Sequence, residues 1–406
     1  MSSLFSVRSR AVGNEDAPGM PCRRFLVRLG AAATVPVLDA CGADLPGSGG
    51  SFASAKPEAS GAPRTRVTQT QSPGRDVHNT SFPITALVIS WTGPHRGVRL
   101  RLYDKDGAPG NWHSVSPGCP CGKNPSAPET TQTPVASHTL VPAHGSFGYQ
   151  LDATSDVHVV NAIAIDSGLL PALQGEDAIG SPSATPSSSP TATGAPVPVF
   201  PPVGLITRAQ WGAAESKRFK ADGTENSPTR FFPAQALTVH HTDTANTDPD
   251  PAATVRAIYE QRAISIDWGD IGYHFLIDQQ GRIYEGRFSG DDGVPTHDKQ
   301  NRVVTGFHTI GFNSGNIGIA LLGDFNKNQQ SLPMRNALVR LLASLAKLHG
   351  LDVQSDITYR NPLDGRTKQA PALAGHRGRV STEFPGTATY MDLETVRGQA
   401  AGLLTA

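Results

Sequence analysis

Residues 178–203 (AIGSPSATPSSSPTATGAPVPVFPPV) are rich in Pro, Ser and Thr. A Pro, Ser and Thr run of this kind stays extended, because it cannot bury enough surface to offset the entropy of ordering it. Any hydrophobic core must therefore lie to one side of it. The 406 residues exceed the usual size of one core, so the sequence predicts two, an N-terminal one and one spanning 204–406, with 169–203 as linker.

The first half has its own punctuation. Residues 44–80 are rich in Gly, Ser, Ala and Pro without periodicity, which reads as a tether. From Ser81 the pattern changes. Ile84, Leu87, Ile89 and Trp91, then Val98, Leu100 and Leu102, then Val157, Val159, Ala162, Ile163 and Ile165 give short apolar alternations ended by Gly168. These predict a small all-β, sandwich-like accessory domain over 81–168. It carries no cluster of His, Asp and Glu to which chemistry can be assigned, so a spacer or wall-adhesion role is expected.

The N-terminus reads as an export address over residues 1–43. Arg23-Arg24 precedes Phe25-Leu26-Val27 and the apolar run Leu29 to Leu38, too short to span a bilayer as a mature helix. It resembles a twin-arginine signal. Leu38-Asp39-Ala40-Cys41-Gly42 resembles a lipobox, in which Cys41 becomes a lipid-modified N-terminus; an ordinary cleaved signal with an incidental cysteine is the alternative. Both readings put the protein outside the cytoplasm, secreted or held to the outer membrane face through Cys41, and give it no other membrane contact. Cys119 and Cys121, in Gly-Cys-Pro-Cys-Gly, lack the second pair a zinc site needs. Lys+Arg and Asp+Glu are both 35, for a net charge of +0, which excludes a global field drawing the chain to nucleic acid. A monomer is expected.

Strand and helix signals alternate in the second half. Leu237-Thr238-Val239 is a short apolar run, and Val255, Ile258 and Tyr259 sit at helical spacing. Phe275-Leu276-Ile277 and Ile283-Tyr284 flank the turn Asp278 to Gly281 as a hairpin, and Ile317 to Leu322 reads as a buried strand. Met334, Leu338, Leu341, Leu342, Leu345 and Leu348 form one helical stripe closed by Gly350. The fold class expected is a mixed α/β domain with a central sheet and flanking helices.

Four segments concentrate the chemistry: TVHHTDTAN (238–246), DWGDIGYHFLIDQQGRIYEGR (267–287), GFHTIGFNSGNIGIALLGDFN (306–326) and AGHRGRVSTEFPG (374–386). In this order, after LITRAQWGA (205–213), they resemble the peptidoglycan recognition proteins, also called type 2 N-acetylmuramoyl-L-alanine amidases. The resemblance covers roughly 205–400. It implies a zinc ion, held by three protein ligands with a fourth position open, that turns water into hydroxide and polarises an amide carbonyl. His240 and His376 match the metal histidines. The family's third ligand is a cysteine eight positions after the second histidine, where this chain has Phe384, and a phenyl ring offers zinc no lone pair. Glu383 would serve only if the backbone moved. Tyr273 matches the catalytic tyrosine and Thr382 a residue that stabilises the tetrahedral intermediate. Trp268, His308, Thr309 and Asn313 match a groove holding muramyl peptide, and Arg287 is a candidate partner for a stem-peptide carboxylate. Two readings stay open: hydrolysis of the bond between muramic acid and L-alanine in peptidoglycan, or peptidoglycan binding without turnover.

Overall fold

The computed structural model describes residues 65–94, 96–118, 137–168 and 199–405. The export signal, Cys41, the Cys119/Cys121 pair and most of the 169–203 linker lie outside the described residues. Among those described, no helix is long and apolar enough to cross a membrane. The described residues make one compact unit that contains both halves.

The accessory domain is one six-stranded sheet in the order β1-β6-β2-β5-β3-β4. Its strands are β1 (Arg66–Gln71), β2 (Val77–Thr92), β3 (Val98–Tyr103), β4 (His113–Val115), β5 (Ser137–Ala153) and β6 (His158–Asp166). Two expectations are corrected. The tether is shorter than 44–80, because β1 and the start of β2 fall inside it; β1 was hidden because its sequence, RVTQTQ, is an exposed edge with a single apolar residue. Two stacked sheets are replaced by one curled sheet: β2 breaks register with β5 between Asn79 and Ala86, as bulged strands do. Ala162 and Ala164 of β6 thereby share a core with Val98 and Leu100 of β3, three strands away in the order.

In the C-terminal half the elements run α1 (Arg208–Trp211), β7 (Phe231–Phe232), β8 (Ala236–His241), α2 (Pro251–Glu260), β9 (Phe275–Ile277), β10 (Ile283–Glu285), β11 (Val303–Val304), β12 (Asn316–Leu321), α3 (Leu332–His349), β13 (Asp356–Arg360), β14 (Thr367–Pro371), β15 (Leu373–Gly375) and α4 (Thr387–Thr405). The central sheet has the order β10-β9-β12-β8-β15, parallel except for the β9/β10 hairpin. Leu237 and Val239 point toward α3 and α4, joining Phe275, Ile319, Leu341, Leu345 and Val396 in the main core. Alternation then sends Thr238 and His240 to the opposite face, where Leu276 and Ala320 meet Val255 and Ile258 of α2.

Each half has a core of its own, as expected, and a third cluster joins the two. Ala86, Val88, Leu140, Ile163 and Ile165 pack in one cluster with Val255, Ile258 and Tyr273. The accessory sheet is thus apolar on both faces, one closed on itself and one on α2. Each large side chain so buried contributes about 1.5–3 kcal/mol. Polar contacts fix the seam: Arg256 donates from Nε to the Ser167 carbonyl at 2.8 Å, and Ser167 donates to the Ala253 carbonyl at 3.0 Å.

Candidate functional site

The C-terminal ends of β8 and β15 bring the two candidate metal ligands together. His240 is the penultimate residue of β8 and His376 directly follows β15, and their ring centroids stand 4.5 Å apart, both fully buried. Burial is the main reason that both imidazoles are held neutral: His240 lies well below the usual histidine range and His376 falls to about 3, with each affected also by neighbouring positive charge.

A chain of hydrogen bonds fixes which nitrogen of His240 carries the proton. The Asn316 carbonyl lies 3.0 Å from His308 Nε2, so that nitrogen donates. His308, pushed down to about 3 chiefly by burial, is neutral, and its Nδ1 is bare. His240 Nε2 approaches this Nδ1 at 3.0 Å and must be the donor. Its own Nδ1 is then a lone pair, buried and without a hydrogen-bond partner among the described residues. Gly318 permits the arrangement, since a Cβ there would stand 2.5 Å from the His308 ring. His274 is bound on both sides, accepting from the Gly318 amide and donating to the Val304 carbonyl.

The lone pair of His240 beside His376 suits a cation, but the donor set stops at two. Phe384 is buried at 6% exposure, packed with Trp268 and Phe307, and its ring stands 4.5 Å from His241 and 6.3 Å from His376. Glu383 is exposed and does not replace it. The only trio of metal-type donors gathered among the described residues is His241, Asp243 and Asp324, within 4.8 Å of one another, and none belongs to the His240/His376 pair. There the Phe325 amide donates to His241 Nδ1, which leaves the neutral ring's other nitrogen protonated and unsuited to a metal. The residues present therefore do not complete a three-ligand zinc site.

Tyr273 stands beside the pair, 5.3 Å between its ring and that of His240, with its hydroxyl 3.4 Å from Arg262 Nη2. Thr382 accepts from the Phe384 amide at 3.4 Å, the local bond of a turn residue. Trp268 packs under the Arg262 guanidinium at 4.7 Å. Thr309 lies 3.0 Å from His308 Nδ1, and Asn313 Oδ1 accepts from the amides of His308 and Thr309, both at 2.8 Å, so these residues brace the histidine.

Arg287 is the clear correction. Its Nη1 donates to Asp270 at 2.7 Å, its Nη2 to the Ser227 carbonyl at 2.7 Å and its Nε to the Thr305 carbonyl at 3.3 Å, at 1% exposure. No donor nitrogen is left over for a carboxylate from outside. Asp270 also takes Arg208 at 3.0 Å, and the burial that would raise its carboxyl is outweighed by these two cations, which hold it below the usual range.

Sequence reasoning missed Arg262 and the start of β5. Arg262 lies in a π-helical turn, Gln261–Ser265, that extends α2, a distortion frequent at functional sites but without a sequence signature. His138, Thr139 and Leu140 of the accessory sheet line the same hollow as Tyr273, Arg262 and Phe384.

Known proteins resemble the C-terminal half in sequence. The model of a family described as N-acetylmuramoyl-L-alanine amidase matches residues 230–387. Peptidoglycan-recognition protein SC2 of Drosophila melanogaster is 29% identical over 196 residues, 48% of this chain and 86% of that protein. A human N-acetylmuramoyl-L-alanine amidase is 31% identical over 200 residues, 46% of this chain but only 27% of that longer protein. Among solved structures, bumblebee PGRP-SA is 26% identical and covers 47% of this chain and 93% of its own, with a TM-score of 0.34. Over residues 230–387 the chain matches the N-acetylmuramoyl-L-alanine amidase family, and across its C-terminal half it is similar to the peptidoglycan recognition proteins.

Proposed function

We propose that this chain is an extracytoplasmic peptidoglycan-binding protein that retains the amidase framework without the zinc chemistry. The observation that carries this is Phe384: it places a buried ring where the third donor is required, and two imidazoles alone lack the binding energy and geometric control of a closed site. Binding needs none of that. The ligand class follows from the family, with muropeptide amides and hydroxyls meeting the polar atoms around Tyr273 and Thr382. Export by the twin-arginine signal, a lipid on Cys41 and a monomeric state complete the reading.

Zinc-dependent hydrolysis is the second reading, favoured by the bare Nδ1 of His240 facing His376 and by the retained Tyr273 and Thr382. One experiment separates the two. The full chain and Phe384→Cys are loaded with zinc, desalted, assayed for metal, and incubated with purified cell-wall peptidoglycan. Retention on the wall, less than one zinc per chain and no released stem peptide are expected of the unaltered protein. One zinc and peptide release would replace binding by hydrolysis, and no retention would remove both.

A further inference from the structure

The Arg262 side chain is only 5% exposed, yet its Nε and Nη1 make no hydrogen bond and no ion pair forms on it among the described residues. Its Nη2 has only the long 3.4 Å contact to Tyr273. The carboxylate nearest in sequence, Glu260, is taken by Lys217 at 2.7 Å. Trp268 and Tyr273 lie 4.7 and 5.6 Å from the guanidinium carbon and give it a π surface on which to rest. Neither ring neutralises it. A water would satisfy donors but leave the charge, and a buried charge persists at low cost only beside an opposite one.

The hollow around this cation is built by both halves. His138, Thr139 and Leu140 from the start of β5 form one wall, and Thr242, Tyr273 and Phe384 the other. Its free space of about 20 Å³ lies between one and two water positions, which matches the two oxygens of a carboxylate and excludes a sugar ring.

We propose that Arg262 anchors an anion site shared between the accessory sheet and the amidase-type domain, and that its ligand is a free carboxylate of a wall stem peptide. This rests on the peptidoglycan reading and adds to it a positioning role for β5. The fork of Arg262 receives the two carboxylate oxygens, and Leu140 keeps water from the pair.

The test uses the full chain and two synthetic muramyl dipeptides, both with the terminal carboxyl as its amide, one with a free side-chain carboxylate on its second residue and one with that group amidated as well, titrated by tryptophan fluorescence. The free acid is expected to bind at least about tenfold tighter than the amide, the scale of a charge-assisted pair. Arg262→Lys and Leu140→Trp should each shrink the advantage of the acid over the amide. Equal binding of acid and amide by the unaltered protein overturns the proposal without any variant. It also falls if sodium chloride raises the thermal midpoint relative to sodium gluconate while the acid has no advantage, for the anion is then a halide. If neither dipeptide binds but intact wall retains the chain, the anion site falls and the wall reading stands; if the wall retains nothing, both fall.

Discussion

His240 donates a proton into His308 across 3.0 Å, and His308 in turn is held by the Asn316 carbonyl. The bare nitrogen of His240 is therefore set by a backbone oxygen two side chains away. Gly318→Ala should disturb this, because the added Cβ meets the His308 ring at 2.5 Å and neither ring nor strand has room to yield. A loss of about 1–3 kcal/mol is expected, read as a lower urea midpoint with unchanged slope.

Phe384→Cys removes a buried ring from the contact with Trp268 and Phe307. The metal-free variant should lose about 3 kcal/mol. Zinc should then restore stability, since a ligand that binds only the folded form raises the midpoint by mass action. Thermal midpoints with and without zinc check both halves of the expectation; the unaltered chain should show no zinc-dependent shift.

Arg287→Ala leaves Asp270 buried with Arg208 as its one remaining cation. Breaking a buried pair in this way costs about 3–5 kcal/mol. If Arg287 is the internal brace its contacts describe, wall retention per folded molecule should not change with Arg287→Lys, as measured by pelleting with peptidoglycan beside a folding control.

Acid should weaken the fold through a pair remote from the site. His349, at the end of α3, lies 3.0 Å from His297, and burial, with His297 second, pushes it down to about 4. His297 is also lowered, mainly by burial, against the opposing pull of the Pro295 carbonyl and Asp298. Both folded values lie below the unfolded value near 6.5. Their contribution is thus complete above pH 6.5 and is lost as pH falls toward 4. His349 is part-exposed, so solvent screening limits the effect to about 1 kcal/mol. His349→Gln should flatten the difference in urea midpoint between pH 7.5 and 4.5.

Leu140→Asp places a charge between the accessory sheet and Tyr273 and Ile258. The single unfolding transition should split in two, with calorimetric and van't Hoff enthalpies no longer equal.

What could be read in the sequence was what repeats. The stripe of α3, with Ser331 at its start and Gly350 at φ 63° after its end, and the β9/β10 hairpin around Gly281 announce themselves through spacing and turn chemistry. His240 and His376 came from motif position, and the fold does bring them together. The second buried face of the accessory sheet was present as unbroken runs, Leu87-Val88-Ile89 and Ala162-Ile163-Ala164-Ile165, which signal strands covered on both sides but were read as alternation. Arg262 and the internal role of Arg287 had no such trace. An arginine looks the same in sequence whether its partner is an aspartate of the fold or a ligand, and only the packing around Asp270 separates the two.

The seam between Ile163, Ile165 and α2 also decides how this protein can be dissected. The Pro and Ser run before Phe200 invites a cut there, but a fragment begun at that point would carry Val255 and Ile258 into water as an open apolar strip. Such a fragment would be sticky and self-associating, and an assay on it would report aggregation as readily as ligand binding. A piece that keeps this wall must start ahead of β1, with the accessory sheet closing the exposed side of its neighbour.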